Sequence, residues 1–216
     1  AGVGQGGDAP DGDGRDDVAV AMNYRNDDVR IYYQDEHGLL DEPVIVQPGI
    51  ARLFGAEDVT GDGRADVVMG YQHAIYIRAQ APDGSLLPTV TSTLPLWVSS
   101  AAVLQLDADP TAELLLLDGG SLWRADIGSD GVVTSPVAVG SFGAGFAGIS
   151  VGDVDGDGDL DAASRSGSTI RILTQDGVGM FGSPEDIGFA VPAAGKLADV
   201  SSDGRADLLV ALSGEQ

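Results

Sequence analysis

Residues 153–161 read Asp153-Val154-Asp155-Gly156-Asp157-Gly158-Asp159-Leu160-Asp161, so that acids occupy every second position. Four related stretches occur elsewhere in the chain. They are Asp11-Gly12-Asp13-Gly14-Arg15-Asp16-Asp17, Asp58-Val59-Thr60-Gly61-Asp62-Gly63-Arg64-Ala65-Asp66, Gln105-Leu106-Asp107-Ala108-Asp109-Pro110-Thr111-Ala112-Glu113 and Asp199-Val200-Ser201-Ser202-Asp203-Gly204-Arg205-Ala206-Asp207. We number the five segments, in chain order, acidic loops 1 to 5. Their last acids follow one another at steps of 49, 47, 48 and 46 residues, which indicates a repeat protein.

A glycine between two apolar stretches repeats with almost the same period. Gly38, Gly84, Gly131 and Gly177 are separated by 46, 47 and 46 residues. The last three follow an aspartate, and an Asp-Gly pair favours a tight hairpin because glycine tolerates a positive φ. Each repeat is therefore predicted to contain a β-hairpin in addition to its acidic loop.

Short apolar runs divide each repeat into four predicted strands, and no run is typical of an amphipathic helix. A continuous run such as residues 114–117 follows each acidic loop and predicts a strand buried on both faces. Alternating runs such as residues 170–172 come next, and the hairpin then leads to a third strand such as residues 136–139. A fourth strand, such as residues 101–104, enters the next acidic loop.

This pattern predicts an all-β fold, a β-propeller built of four-stranded blades of about 47 residues. A β-sandwich is the competing fold, but sandwiches do not repeat their loops at constant spacing. We expect one repeat domain over residues 1–216, with units 1–49, 50–96, 97–144 and 145–191 and a partial unit 192–216. About four and a half blades result, either as part of a larger propeller or as a four-bladed ring closed by an overlapping pair of strands.

The charge of the chain excludes several classes of partner. Its 34 acidic residues outnumber its 11 basic ones, and the net charge of −23 repels nucleic acid and anionic lipid, which bind through Lys and Arg. No apolar run approaches the ~18–20 residues that a membrane-spanning helix needs. The absence of Cys excludes disulfides and Cys-based zinc sites. What the composition favours is an acidic protein able to hold hard cations.

Acidic loop 4 has the spacing of a calcium-binding loop. Counted from the first acid, Asp153, Asp155 and Asp157 stand at positions 1, 3 and 5. Alternate oxygen donors in a tight loop can converge on one ion, and Ca²⁺ takes such hard ligands at about 2.3–2.6 Å. Glycine at position 6 permits a sharp turn that lets the carbonyl of position 7 face the ion. Asp161, at position 9, is the last predicted ligand.

The five loops differ in the ligands that they offer. Loop 4, with the most carboxylates, is predicted to bind most tightly, whereas loops 2 and 5 carry Thr60 and Ser201 at position 3. Loop 3 is predicted not to bind, because Gln105 replaces the first acid and Pro110 replaces the turn glycine. Three or four Ca²⁺ sites are therefore expected, and their predicted ligands, loop by loop, are Asp153, Asp155, Asp157, Asp159 and Asp161; Asp58, Thr60, Asp62, Arg64 and Asp66; Asp199, Ser201, Asp203, Arg205 and Asp207; and Asp11, Asp13, Arg15 and Asp17.

The loops and their flanks resemble a known repeat. Phe142-Gly143 precedes loop 4, Phe54-Gly55 precedes loop 2, and a Gly-rich hairpin segment spans residues 177–184. With these features the chain resembles the FG-GAP/VCBS-type repeat of integrin α-subunit propellers and of many secreted bacterial proteins. The resemblance implies a calcium-stabilised propeller outside the cell that serves adhesion or ligand display.

We therefore expect a non-enzymatic, extracellular, calcium-binding propeller module with a protein or glycan ligand. Residues 148–152, Gly-Ile-Ser-Val-Gly, match the nucleophile elbow of hydrolases. That elbow requires a helix after the serine and a histidine later in the chain, whereas His37 and His73 both come earlier.

Three alternatives stay open. The first is a carbohydrate-binding propeller, a lectin that uses Trp97, Trp123 or Tyr76. The second is an accessory propeller of a larger secreted enzyme. The third is a salt-adapted protein whose Asp-Gly turns hold water and salt but no specific calcium.

Overall fold

The structure is a computed structural model that describes residues 3–4, 15, 17–21, 28–47, 51–106, 109–189 and 192–212. Every regular element in these ranges is a β-strand, and they contain no helix. The described residues accordingly include no helix long and apolar enough to cross a membrane. The predicted all-β class is therefore confirmed.

The strands form five small antiparallel sheets, and within each sheet every strand lies beside the next one in the chain. The first sheet comprises β1 (Val3–Gly4), β2 (Val18–Ala21), β3 (Val29–Tyr32) and β4 (Val44–Gln47). The second comprises β5 (Arg52–Glu57), β6 (Asp66–Arg78) and β7 (Val90–Val98). The third comprises β8 (Ser100–Leu104), β9 (Glu113–Asp118), β10 (Ser121–Asp126) and β11 (Val137–Ser141). The fourth comprises β12 (Ala147–Gly152), β13 (Asp161–Ser166), β14 (Thr169–Leu173) and β15 (Glu185–Gly188), and the fifth β16 (Pro192–Ala198) and β17 (Asp207–Leu212).

The long strand β6 contains a turn. Its first residues pair with β5, whereas Ala74 to Ile77 pair with β7. Between the two halves Gln72 adopts a φ of +54°, in the left-handed region that tight hairpins use. The backbone N–H of Gln80, just after β6, donates a 2.9 Å hydrogen bond to Asp66, so the chain leaving β6 returns to the start of that strand. The second sheet thus follows the same four-stranded path as the first, third and fourth.

The predicted hairpins are confirmed at all four glycines. Gly38, Gly84, Gly131 and Gly177 have φ values between +73° and +81°. Each turn is closed by an isolated bridge, and these bridges are Gln34 with Leu40, Gln80 with Leu86, Ile127 with Val133, and Gln175 with Phe181.

The chain divides into two compact units. Unit 1 comprises residues 1–98, 103–114 and 125–135, and unit 2 comprises residues 99–102, 115–124 and 136–216. A core cluster of unit 1 contains Ala19, Val29, Ile31, Val46, Ala51, Val67 and Met69. A core cluster of unit 2 contains Ala163, Ile170, Ile172 and Leu197. The predicted double-sided burial of residues 114–117 is confirmed, since all four leucines are 0% exposed.

Candidate cation-binding loops

The first acid of loop 4 organises the loop backbone. Asp153 accepts hydrogen bonds from the N–H of Gly156 at 2.6 Å and of Gly158 at 3.0 Å, one on each carboxylate oxygen. Both glycines have a positive φ, +80° and +95°. The backbone therefore curls around the Asp153 carboxylate, because two residues of the turn can take the left-handed conformation.

The last acid of loop 4 is buried and ties the loop to the sheet. Asp161 begins β13 and is 0% exposed. It accepts hydrogen bonds from the N–H of Val154 at 2.7 Å and of Gln175 at 2.9 Å. Burial raises the pKa of Asp161, these hydrogen bonds oppose the rise, and the negative charge of Asp155 adds to it.

Three carboxylates of loop 4 converge. Oxygen atoms of Asp153, Asp155 and Asp161 all lie within 4.8 Å of one another. Two ligands on opposite sides of a Ca²⁺ ion are about 4.6–5.2 Å apart, twice the usual calcium–oxygen distance. An all-oxygen, anionic donor set with this spacing fits a hard divalent cation. The sequence predicted all three residues as ligands of one ion.

The other two predicted ligands of loop 4 are not part of this cluster. One carboxylate oxygen of Asp157 accepts the N–H of Asp159 at 2.9 Å. The carboxylate of Asp159 faces the hairpin instead, since its Oδ2 atom is 3.0 Å from where a Cβ at Gly177 would lie. Asp159 was predicted to contribute its backbone carbonyl, and that prediction is independent of where its side chain lies.

Loop 2 repeats the backbone arrangement with a different charge balance. Asp58 accepts the N–H groups of residues 61, 62 and 63. Asp66, also 0% exposed, accepts bonds from the N–H of Val59, from both the N–H and the hydroxyl of Thr60, and from the N–H of Gln80. Burial raises the pKa of Asp66 in spite of these four bonds.

The remaining carboxylate of loop 2 already has a cationic partner. Asp62 forms an ion pair with the guanidinium of Arg64, whose Nε also donates to the carbonyl of Gln80 at 3.0 Å. Thr60 at position 3 uses its hydroxyl as a donor to Asp66 at 2.9 Å. Arg64 thus neutralises one of the three carboxylates of loop 2, and Thr60 supplies no charge to replace the Asp155 carboxylate of loop 4.

Loop 5 follows the same plan with a serine in a strained position. Asp199 accepts the N–H groups of Ser202, Asp203 and Gly204. Ser202 adopts a φ of +61°, where loops 2 and 4 have glycine. The last acid, Asp207, accepts the N–H groups of residues 200 and 201, and these hydrogen bonds lower its pKa.

Loops 1 and 3 are described only in part. Asp11 and Asp13 lie outside the described residues, so their predicted roles as ligands stay predictions, whereas Asp17 accepts the N–H of Gln34 at 2.8 Å, as Asp161 does for Gln175. In loop 3, Glu113 is 1% exposed and accepts the N–H of Leu106 at 2.6 Å. Gln105 stands at position 1 of loop 3, where loop 4 has Asp153. Its side-chain amide donates to two backbone carbonyls of loop 3, whereas the Asp153 carboxylate accepts from backbone N–H groups of loop 4.

Neighbouring loops also contact each other within each unit. In unit 1 the N–H of Ala112 donates to the carbonyl of Val59 at 3.3 Å, and a Cβ at Gly61 would lie 2.6 Å from the carbonyl oxygen of Pro110. In unit 2 the N–H of Ala206 donates to the carbonyl of Asp153 at 2.5 Å. Sequence reasoning missed these contacts, although the small residue at position 4 of loops 2 and 4 is a signal for close approach.

The loops and sheets agree with comparisons to known proteins. Residues 153–210, which run from loop 4 through loop 5 to β17, match the FG-GAP-like repeat family. The family resemblance stated from the sequence is therefore confirmed over this segment, which is similar to the FG-GAP-like repeat. No curated protein sequence matches the chain.

Solved structures with the same fold are remote in sequence. An Agrocybe aegerita lectin, solved for its specific recognition of non-reducing terminal N-acetylglucosamine, aligns over 93% of this chain with 16% identity and a TM-score of 0.68. The Photorhabdus luminescens Tc holotoxin pore aligns over 96% with 17% identity and a TM-score of 0.59. The chain spans 58% of the lectin chain and 10% of the toxin chain. At this identity the likeness concerns the fold alone, and these neighbours are propeller-like repeat proteins.

Proposed function

We propose that the chain is a non-enzymatic, extracellular β-propeller binding module whose acidic loops are stabilised by Ca²⁺. The observation that carries the proposal is the convergence of the Asp153, Asp155 and Asp161 carboxylates within 4.8 Å. Three negative charges this close repel one another, and a divalent cation relieves that repulsion. Free Ca²⁺ at extracellular concentrations suits sites with a Kd of about 10⁻⁴–10⁻³ M.

Calcium titration of a charge-matched pair of variants tests the proposal. Asp155→Asn removes one carboxylate of the cluster, whereas Asp109→Asn removes one from loop 3, which is predicted not to bind. Isothermal titration calorimetry in a low-salt buffer should give saturable calcium binding by the unchanged chain and by D109N. The tightest site should be weakened at least tenfold in D155N. Equal titration curves for the two variants would contradict a site in loop 4.

A carbohydrate ligand is the second candidate, and a cleft in unit 1 favours it. The cleft has a volume of about 510 Å³ and is lined by Tyr33, Val44, Arg78, Leu86 and residues 83–85. Arg78 donates hydrogen bonds to the carbonyls of residues 46, 86 and 87. The bond to residue 46 joins the second sheet to the first, and the other two fix the hairpin that lines the cleft. A concave site with one aromatic ring and several polar groups suits a sugar.

The tryptophans differ in their availability to such a ligand. Trp97 is 53% exposed, and its ring is packed edge-on against His73 at 5.4 Å. Trp123 is partly buried, and its indole nitrogen is buried without a hydrogen-bond partner among the described residues. A glycan array tests this candidate. Binding abolished by Tyr33→Ala points to the cleft, binding abolished by Trp97→Ala points to the exposed ring, and an array without hits removes the candidate.

A further inference from the structure

The guanidinium of Arg205, from loop 5, lies against Gly156 of loop 4. A Cβ placed on Gly156 would lie 2.5 Å from Arg205 Nε, 2.9 Å from its Cζ and 3.1 Å from one terminal nitrogen. Any side chain at Gly156 would therefore displace the arginine. Next to this contact, the N–H of Ala206 donates a 2.5 Å hydrogen bond to the carbonyl of Asp153, which holds loop 5 close to loop 4.

Arg205 behaves differently from the arginine at the same position of loop 2. Arg64 forms an ion pair with Asp62 of its own loop. Arg205 has Asp203 at the corresponding position, yet Asp203 accepts only the backbone N–H of Arg205, at 2.9 Å. Within the described residues the Arg205 guanidinium forms no ion pair and no hydrogen bond, so its charge lies beside loop 4 without a partner of its own.

We propose that Arg205 is a built-in counter-cation of loop 4 that competes electrostatically with the divalent ion. This inference rests on the proposed calcium site. Loop 4 holds five aspartates and no basic residue, whereas loop 2 holds Arg64. The neighbouring repeat therefore supplies to loop 4 the positive charge that loop 2 supplies to itself.

Two consequences follow for the metal-free and metal-bound forms. Without metal, Arg205 offsets part of the repulsion among the carboxylates of loop 4. With metal bound, the same charge opposes the ion and lowers its affinity. Coulomb's law in water gives an effect on the order of threefold to tenfold for a unit charge about 6–12 Å from a divalent ion. Salt screens that effect because the Debye length falls to ~3 Å at 1 M.

The experiment compares Arg205→Gln with Arg205→Lys and Lys196→Gln. R205Q removes the charge at Gly156, R205K keeps it, and K196Q removes one charge from unit 2 at a side chain that is not among the atoms nearest Gly156. Calcium titrations of each variant, with and without Asp155→Asn, isolate the binding that belongs to loop 4. At low salt R205Q should bind calcium threefold to tenfold more tightly than K196Q, and R205K should stay within twofold of the unchanged chain. In 1 M KCl the advantage of R205Q should disappear, and in EDTA R205Q should melt below K196Q.

The outcomes separate this inference from the proposed function. If the unchanged chain and R205K bind no calcium, the proposed function fails and the inference fails with it. If they bind calcium and R205Q matches K196Q, the inference alone is wrong. An affinity gain in R205K equal to that of R205Q would also overturn it, because the effect would then come from packing rather than from charge.

Discussion

Asp66 and Asp161 are fully buried carboxylates, and each connects its acidic loop to the next hairpin of the same repeat through hydrogen bonds. The spacing of the acidic loops predicted both as the last ligand of a cation. In the structure each also accepts a backbone N–H from a residue 14 positions later, in the bridge that closes the next hairpin. This role could not be read from the loop itself, because the donor comes from a hairpin that only the fold brings alongside.

Replacing Asp66 should therefore destabilise the chain even without metal. Asp66→Ala leaves the N–H groups of Val59, Thr60 and Gln80 buried without an acceptor. Each buried donor without a partner costs about 1–3 kcal/mol, so we expect a loss of about 3 kcal/mol in the free energy of unfolding. Urea unfolding in EDTA measures it.

The control for that variant is Asp62→Ala in the same loop. Asp62 is partly exposed, and its ion pair with Arg64 should contribute no more than about 1 kcal/mol. Equal losses for the two variants would show that the hydrogen bonds of Asp66 are not what stabilises loop 2.

The stability of the metal-free chain should rise as the pH falls from 7 toward 4. Burial raises the pKa of Asp66 and of Asp161, so the folded chain binds protons at a pH where the unfolded chain does not. The stabilisation is complete below the unfolded pKa, about 3.9, and is lost as the pH rises through the folded pKa. Urea unfolding in EDTA at a series of pH values tests this dependence.

The double variant Asp66→Asn, Asp161→Asn is the control, and its pH dependence should be flatter. Asp207 affects the pH dependence of stability in the opposite direction, because backbone hydrogen bonds lower its pKa. Its contribution to stability is lost only as the pH falls through that lowered pKa. A free energy of unfolding that decreases steadily from pH 7 to 5 would contradict the assignment of Asp66 and Asp161.

At the scale of the elements, the turn geometry of the acidic loops decides which residues they tolerate. Positions 4 and 6 of loops 2 and 4 are glycines with φ between +75° and +95°. Position 4 of loop 5 is Ser202, with a φ of +61°. A non-glycine residue in the left-handed region costs about 1–2 kcal/mol, part of which glycine recovers.

Ser202→Gly should accordingly stabilise the chain by about 0.5–1 kcal/mol in EDTA. The gain is smaller than the strain, since glycine also increases the entropy of the unfolded chain. The neighbouring variant Ser201→Gly is the control, because Ser201 has no positive φ, so glycine there relieves no strain, brings the entropic cost and removes the hydroxyl that bonds to Asp207. Chemical unfolding that gives S202G no advantage over S201G would argue against strain at Ser202.

Patterns within short segments predicted many of the strands and turns. Contacts between residues far apart in the chain were not predicted. The hairpin glycines and the runs of residues 114–117 and 170–172 were interpreted correctly because φ preference and apolar pattern are properties of short segments. The two successive strands predicted in each repeat imply the turn inside β6, but its left-handed residue was not predicted, since Gln72 carries no glycine signal. The contact of Arg205 with Gly156 joins residues 49 positions apart, and no local pattern specifies such a pair.

For the whole molecule, the net charge of −23 and the repeated loops make calcium the central question. Like charges held close together destabilise a compact state, and a cation that binds only the folded chain reverses that cost. For a site with a Kd of about 10⁻⁴ M, 10 mM Ca²⁺ adds about 2.7 kcal/mol. In a chain of this size that corresponds to a rise in melting temperature on the order of 5–10 °C per site.

A thermal melt in EDTA against a calcium titration, with Mg²⁺ and KCl as controls, shows whether Ca²⁺ stabilises the folded chain. We predict a saturable, calcium-selective rise in melting temperature that is smaller in Asp155→Asn and unchanged in Asp109→Asn. No response to calcium, together with stabilisation by molar KCl, would contradict the account and identify the acidic loops as features of a salt-adapted surface.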